Sequence, residues 1–251
     1  MAGIFAVFYG VAAYGVFFVT ILYSIGFVGN LVVPKSIDVG SSGPLVESLA
    51  IDAALLGLFA VQHSVMAREG FKRVWTRLVP RSVERSTYVL FASLVLLLLF
   101  WQWRPIVQPV WTVTSPAAAA IVHVVFWSGW VLLFASTFML SHFELFGLRQ
   151  VFARLTGTQL PEPRFHTPML YQHVRHPLYL GFLLAFWATP AMTVGHLVFA
   201  AGCTGYILIA IQFEERDLIR LFGDQYRRYR AQVGMLLPLP GRRFTRREDA
   251  R

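Results

Sequence analysis

The sequence predicts an all-α fold, a polytopic transmembrane helical bundle of about five to six spans that ends in a helical hairpin. The chain has 251 residues, of which 56% are hydrophobic and only 14% charged. Its mean hydropathy is +0.58, and this composition lies outside the range of soluble globular domains. Residues 5–33 contain no charge, and the run is too long and too aromatic for an ordinary signal peptide. Residues 1–251 are therefore expected to form one integral membrane domain.

The first 140 residues contain four apolar segments that are long enough to cross a bilayer as helices. A hydrocarbon core about 30 Å thick needs roughly 20 helical residues to span it. The candidate spans are residues 5–33, 45–66, 87–103 and 117–140. Residues 141–177, which follow them, are more polar and are expected to form a loop outside the membrane.

The last apolar region, residues 178–213, is too long for a single span. Thr189, Pro190 and Gly195 fall near its middle and mark a turn. We expect a helical hairpin whose two ends lie on the same side of the membrane. The first arm is short, so it either crosses at a tilt or turns back before the far side.

The distribution of basic residues orients the predicted bundle. Of the 22 Lys and Arg residues, six lie in residues 67–86, four in 141–177 and ten from residue 214 onward. The two remaining loops hold one each, Lys35 and Arg104. Because cytoplasmic loops are enriched in Lys and Arg, the three basic segments are expected on the cytoplasmic side, and the N-terminus with them.

The net charge of +9 is explained by the excess of Lys and Arg in cytoplasmic segments and by the attraction of these residues to anionic lipids. It therefore indicates no nucleic-acid partner. The cytoplasmic tail, residues 214–251, becomes polar and basic after Gly241, and this end is expected to be disordered or to lie on lipid headgroups. Cys203 is the only cysteine, which excludes an intrachain disulfide and a cysteine metal cluster. The oligomeric state is left open.

A polar cluster stands at the start of the hairpin, in the segment YQHVRHPLYLG at 171–181. Pro177 suits the first position of a helix, whose free N–H groups carry partial positive charge and favour a carboxylate. At the return end, Glu214 and Glu215 supply negative charge suited to an ammonium, a sulfonium or ribose hydroxyls. The hairpin therefore offers both halves of a site for a zwitterion such as an amino acid.

These residues also resemble a known signature. RHPLYLG, EER at 214–216 and FGDQYRRYRAQVGMLLP are similar to the pattern of the isoprenylcysteine carboxyl methyltransferase and phospholipid methyltransferase superfamily of membrane enzymes. The shared pattern is RHPxYxG, an acidic pair, and GxxYxxY closing near a proline. One small departure is that Gly234 and Met235 precede LLP, where the usual VP is absent.

Four further stretches narrow the resemblance, which then covers most of the chain. QHSVMAR at 62–68, ERSTYVLFASL at 84–94, FELFGLRQV at 143–151 and AFWATPAMTVGHLVFA at 185–200 are similar to the bacterial methanethiol S-methyltransferase group, which is close to the NnrU-type proteins. The resemblance implies methyl transfer from S-adenosyl-L-methionine to a small thiol, methanethiol, which yields dimethyl sulfide and S-adenosyl-L-homocysteine. It also implies the bacterial inner membrane as the location.

Site residues follow from the motif positions. The resemblance implies these cofactor-binding residues: His173, Arg175, His176, Tyr179, Gly181, Glu214 and Glu215. The glycine would allow the cofactor to approach the backbone closely. The structural alternatives are a lipid-anchoring Arg175, an interfacial Tyr179 and an ion-paired Glu215.

Thiol activation is the other chemical requirement, because the thiolate is the nucleophile. His63 and Arg68 end the second predicted span and His142 follows the fourth, so all three are expected near the hairpin mouth and are the candidate catalytic residues. Each histidine could equally bond a helix end. Asp52, an acid inside the second span, is a functional candidate by default, with polar contacts between helices as the alternative. Structural roles are favoured for the remaining residues: His123, His196 and the tryptophans 101, 103, 111, 127 and 130.

Three other functions are compatible with a membrane bundle. A metal-dependent hydroxylase or desaturase would need several histidine boxes, whereas only His173 and His176 are three apart, so no metal site is predicted. A transporter would show repeated halves, and no such symmetry is visible. A methyltransferase acting on a prenyl-cysteine or lipid acceptor remains the alternative within the superfamily.

Overall fold

The computed structural model describes residues 1–162 and 164–239 and shows a helical bundle with one small sheet. The helices in this part of the chain are α1 Ala2–Gly29, α2 Leu45–Ala67, α3 Glu69–Trp75, α4 Arg81–Gln102, α5 Pro116–Leu140, α6 His142–Leu145, α7 Leu148–Thr156, α8 Pro177–Trp187, α9 Val194–Phe222 and α10 Asp224–Gln232. The strands are β1 Pro109–Thr112 and β2 Ala191–Thr193, and a 3₁₀ turn covers Met169–Gln172.

Five helices, α1, α2, α4, α5 and α9, are long and apolar enough to cross a membrane. They confirm the predicted all-α membrane fold, and they include the four N-terminal spans and the second arm of the hairpin. The third span begins earlier than predicted, at Arg81, because its polar first turns, which contain Arg81 and Arg85, are helical as well. The tail after residue 241 was predicted to be disordered or lipid-bound, and it lies outside the described residues.

Local signals explain where several helices begin and end. Ser115 caps α5 by accepting a hydrogen bond from the backbone N–H of Ala118, and Pro116 follows at the first helical position. Thr193 caps α9 in the same way through His196. Asn30 ends α1 in the left-handed conformation, at φ 53°, which asparagine tolerates better than most residues.

The first arm of the hairpin reaches the end of the bundle by changing from helix to strand. Helix α8 has 11 residues and is about 16 Å long at 1.5 Å per residue, too short to cross alone. The chain continues through β2, which pairs antiparallel with β1, the strand between α4 and α5. The arm therefore does not turn back inside the bundle. The sequence did not predict this strand pair.

Close packing of α8 against α5 depends on two glycines. A Cβ atom added at Gly181 would lie 2.7 Å from the carbonyl oxygen of Gly129, and one added at Gly129 would lie 2.7 Å from that of Gly181. Small residues let membrane helices approach this closely. Aromatic side chains fill the neighbouring core, where Phe27, Trp103 and Trp130 are fully buried.

The residues assigned to structural roles, and Asp52, lie mostly in this core or at its ends. His196 is fully buried and hydrogen bonds the carbonyl of Phe186 at 2.9 Å, and buried Asp52 accepts from the backbone N–H of Arg104 at 2.9 Å. His123 is exposed and bonds the Ala119 carbonyl within its own helix. Trp103 and Trp130 are buried, whereas Trp101, Trp111 and Trp127 are exposed.

Candidate active site

A cluster of ion pairs joins the start of α8 to the end of α9. Glu215 accepts from Arg175 Nε at 2.8 Å, from His176 Nε2 at 3.2 Å and from Arg230 Nε at 3.0 Å. The side chain of Glu215 is only 4% exposed and that of Arg175 only 11%. Buried carboxylates need such partners to offset their desolvation. We call Arg175, His176, Glu215 and Arg230 the ion-pair cluster.

Backbone contacts fix the same residues. Arg175 Nη1 donates to the carbonyl oxygens of Arg230 and Val233, each at 2.7 Å. The backbone N–H groups of Arg175 and His176 donate to the carbonyls of Gly234 and Met235. The loop that precedes α8 is thus attached to the segment that follows α10. Arg175 and Glu215 form an ion pair with each other. Ion pairing is the structural role that the sequence offered for Glu215 as the alternative to cofactor binding.

Glu214 faces a different environment from Glu215. Its side chain is 44% exposed, and its carboxylate accepts from the Tyr179 hydroxyl at 2.9 Å. His176 Nδ1 lies 3.9 Å from the same carboxylate. Five of the seven predicted cofactor residues are therefore brought together: Arg175, His176, Tyr179, Glu214 and Glu215. Of the two acids, Glu214 is the one that remains open to a ligand.

Two other predicted cofactor residues lie elsewhere. His173 is exposed, and its Nδ1 lies 3.3 Å from the Met169 carbonyl of the preceding turn. Gly181 faces α5, where its missing side chain permits helix packing. The close approach expected at Gly181 occurs, but the partner is the backbone of α5.

Tyrosines of the GxxYxxY segment cover the ion-pair cluster. Tyr229 donates to the carbonyl of Tyr171 at 2.6 Å, and Tyr226 interacts electrostatically with Glu214, Glu215 and Arg175. Burial raises the pKa of Tyr171, Tyr226 and Tyr229, so all three phenols stay neutral. The buried Tyr226 hydroxyl has no hydrogen-bond partner among the described residues.

The site prediction missed both tyrosines of the GxxYxxY segment. The spacing of that segment was the available signal. Tyr226 and Tyr229 are three apart and lie on one face of α10, and both are buried.

His63 lies in an aromatic environment near the end of α2. Its Nε2 is hydrogen bonded to the Tyr88 hydroxyl at 2.7 Å, and its ring lies 5.1 Å from that of Phe59. Its Nδ1 is buried and has no hydrogen-bond partner in residues 1–162 or 164–239. The ring of Tyr206 closes another side, at 6.3 Å and nearly perpendicular.

Arg68 connects α2 with α9. It pairs with Asp217 at 3.1 Å and lies over the ring of Phe213 at 4.9 Å. Asp217 lies three residues after Glu214 in the same helix, so Arg68 pairs with the face of α9 that also carries Glu214. The Tyr179 phenol, which binds Glu214, also interacts electrostatically with Tyr206 and Tyr88. The groups around His63 and around Glu214 therefore adjoin.

His142 is not brought into this site. Ser141 adopts φ 102°, which ends α5 and turns His142 into the bundle. Its Nε2 is bonded to Tyr14 and its Nδ1 to Thr137, both at 2.8 Å. None of its contacts among the described residues involves His63, Arg68 or the ion-pair cluster. The geometry gives the predicted catalytic role of His142 no support.

The fold and the site together define an integral membrane protein with a partly open acid–base site at one end of a helical hairpin. Among its relatives are methanethiol S-methyltransferase 1 of Bradyrhizobium diazoefficiens, 60% identical over 92% of this chain and 81% of that protein, and the Mycobacterium tuberculosis methanethiol S-methyltransferase, 57% identical over 93% and 96%. The chain belongs to the methanethiol S-methyltransferase family.

A more distant relative is nurim of Rattus norvegicus, 32% identical over 69% of each chain. No family model matches the sequence. No solved structure matches it either.

Proposed function

We propose that this chain transfers a methyl group from S-adenosylmethionine to methanethiol and releases dimethyl sulfide and S-adenosylhomocysteine. The observation that carries the proposal is the similarity to six proteins named methanethiol S-methyltransferase, which are 48–60% identical over 84–95% of the chain. The site described above has chemistry suited to this reaction.

The groups around the start of α8 fit S-adenosylmethionine. Glu214 offers a half-exposed carboxylate for the ammonium or the ribose hydroxyls of the cofactor. The buried Tyr226 hydroxyl lacks a partner among the described residues and can supply a further hydrogen bond. Positive charge for the cofactor carboxylate comes from Arg230, which is 48% exposed, and from the N–H groups of the first turn of α8.

Arg175 and Glu215 act on the cofactor indirectly in this proposal. They hold α8, α9 and the segment after α10 in fixed positions, so they determine where His176 and Glu214 lie. The bound cofactor supplies a methyl group on a positively charged sulfur. The protein contributes chiefly by aligning that methyl with the incoming thiol sulfur.

His63 is the proposed acceptor of the thiol proton. In the tautomer whose Nε2–H donates to the Tyr88 oxygen, Nδ1 carries a lone pair that no described residue uses. The thiol proton moves to this Nδ1 and leaves a thiolate, the reactive form. Arg68 stands at the rim, where its charge stabilises the thiolate. The aromatic walls exclude water and so strengthen these electrostatic interactions.

The proposed location is the bacterial inner membrane, with the site facing the cytoplasm and the whole of residues 1–251 acting as one methyltransferase domain. The basic segments 67–86 and 141–177 and the tail from residue 214 support this orientation through the positive-inside bias. S-adenosylmethionine is soluble, so a cytoplasmic site gives it direct access.

Headspace gas chromatography tests the proposed reaction. Purified protein is supplied with S-adenosylmethionine and methanethiol, and dimethyl sulfide is measured against a no-enzyme control. His63→Gln is expected to lower the rate by about 10²–10⁴-fold, the usual contribution of a general base. Arg77→Gln, an exposed change outside the site, should match the unaltered protein. Dimethyl sulfide at the no-enzyme level would exclude methanethiol as the acceptor.

A further inference from the structure

Two basic residues converge on one cavity at the end of the bundle opposite the ion-pair cluster. Lys35 follows α1 and Arg104 follows α4, and both line a cavity of about 390 Å³ together with Pro34, Trp101 and residues of the Gly40–Ser41 turn. They are the two basic residues that the sequence leaves outside the three basic segments. Their meeting in one cavity concentrates positive charge there.

Arg104 is the less satisfied of the two. Its backbone N–H donates to Asp52, but its buried Nε has no hydrogen-bond partner among the described residues. The Lys35 ammonium donates to the carbonyl of Trp101 and retains two further N–H groups. A buried guanidinium N–H without an acceptor is costly, and an anion that supplied an acceptor oxygen to it would remove that cost.

The acids at this end leave the cavity positive. The Asp38 carboxylate accepts hydrogen bonds from the Asn30 amide at 2.7 Å and from the Thr193 hydroxyl at 2.6 Å. Asp52 is fully buried and interacts electrostatically with Lys35 and Arg104, so it offsets one of their two positive charges. Glu47 is exposed on the first turn of α2. None of these three carboxylates lines the cavity.

An apolar groove continues from the cationic cavity into the seam between α1 and α4. This second cavity, of about 300 Å³, shares Pro34, Lys35 and Trp101 with the first and adds Tyr23, Leu97 and Phe100. Tyr23 lies six residues before the end of α1, which is a depth of about 9 Å along the helix. The groove therefore runs from the membrane surface toward its interior.

We propose that this pair of cavities binds one anionic phospholipid of the leaflet at that end. Arg104 and Lys35 hold the phosphate oxygens, and the start of one acyl chain lies against Tyr23, Leu97 and Phe100. A free anion would use the cationic half alone, whereas the lipid fills both halves. The indole of Trp101 is 70% exposed and lies at the headgroup level, as interfacial tryptophans do.

Thermal unfolding of the full chain in neutral detergent tests this site. Phosphatidylglycerol, phosphatidylcholine and inorganic phosphate are titrated separately, and the shift in Tm gives an apparent affinity. Phosphatidylglycerol is expected to stabilise the protein, and the other two are not. Arg104→Gln and Lys35→Gln should each weaken the phosphatidylglycerol effect by about fivefold, and Arg77→Gln, at the other end, should leave it unchanged.

Three results would overturn the proposal. Equal stabilisation by phosphatidylcholine would mean that the cavities do not distinguish an anionic headgroup from a zwitterionic one. Equal stabilisation by inorganic phosphate would assign the cavity to a soluble anion. An unchanged phosphatidylglycerol affinity in Lys35→Gln would remove the cationic site even if Arg104→Gln failed to fold, because Lys35 lies in the loop after α1 and its ammonium donates to a single backbone carbonyl, that of Trp101.

Discussion

At the scale of single residues, Glu214 and Glu215 are adjacent in the chain but have different tasks. The side chain of Glu215 is 4% exposed and pairs with two arginines and a histidine, whereas that of Glu214 is 44% exposed and bonds one tyrosine. The sequence places both carboxylates at the hairpin mouth. It does not show which one turns inward, because that depends on where α10 returns along the bundle.

Glutamine substitutions should separate these two tasks. Glu215→Gln leaves buried cations without a counter-charge, so it should lower the free energy of unfolding by about 3–5 kcal/mol. Glu214→Gln should change it by no more than about 0.5 kcal/mol but weaken cofactor binding. Thermal unfolding in detergent and calorimetric titration with S-adenosylhomocysteine give the two quantities. Equal loss of stability in both variants, or unchanged affinity in Glu214→Gln, would contradict the assignment.

His142 should make stability depend on pH. Burial lowers its pKa. Thr137, which donates to the Phe134 carbonyl, accepts from Nδ1–H, and in the neutral ring Nε2 accepts from the Tyr14 hydroxyl. Because the folded-state pKa is below the unfolded value of about 6.5, the stabilisation is complete above pH about 6.5 and is lost as the pH falls toward the folded-state pKa.

The comparison of His142→Gln with the unaltered protein isolates this effect. The Tm of the unaltered protein should fall more steeply between pH 7 and pH 5 than the Tm of the variant. Activity per folded molecule should be nearly unchanged in His142→Gln, since the ring lies outside the site. A large loss of activity with normal stability would restore the catalytic role predicted from the sequence.

At the scale of helices and strands, the spans were predictable because length and hydropathy determine them directly. Pro177 likewise predicted where α8 begins. The strand pair was not predictable, because β1 has four residues and β2 three, too few for an alternating pattern. Because the first arm of the hairpin is short, the sequence left open whether it crosses or turns back. The pairing of β2 with β1 shows that it does not turn back inside the bundle.

Packing of α5 against α8 gives a prediction at this scale. Gly181→Ala places a methyl group 2.7 Å from the Gly129 carbonyl, so the two helices must separate, at a cost of about 1–3 kcal/mol. Gly205→Ala in α9 is the matched control, because an added Cβ there meets nothing within 4 Å. Thermal unfolding should show a lower Tm for the first variant only. A Tm equal to that of the control would contradict the close packing.

At the scale of the whole molecule, the site combines parts of the chain that are distant in sequence. His63 comes from α2, Tyr88 from α4 and Glu214 from α9. The alternation of spans predicts His63 and Glu214 at one end of the bundle, and the resemblance of residues 171–181 and 214–238 to a known signature predicts that the cofactor binds there. The sequence did not show the direction of the His142 side chain, because a single left-handed residue, Ser141, decides that direction.

Cysteine labelling in intact bacteria tests the orientation. In a Cys203→Ser background, Val39→Cys and Arg77→Cys place single thiols at exposed positions on opposite ends of the bundle. A membrane-impermeant maleimide should label Val39→Cys in whole cells and Arg77→Cys only after the cells are opened. The reverse pattern would place the site outside the cytoplasm.

The contacts of Arg175 with Arg230, Val233 and Gly234 also determine when the site can exist during biosynthesis. Helices of the bundle enter the membrane in chain order, but the partners that hold Arg175 are translated after all of them. A nascent chain whose membrane-crossing helices are already inserted therefore lacks the contacts that fix Arg175 until residues 230–234 have been translated.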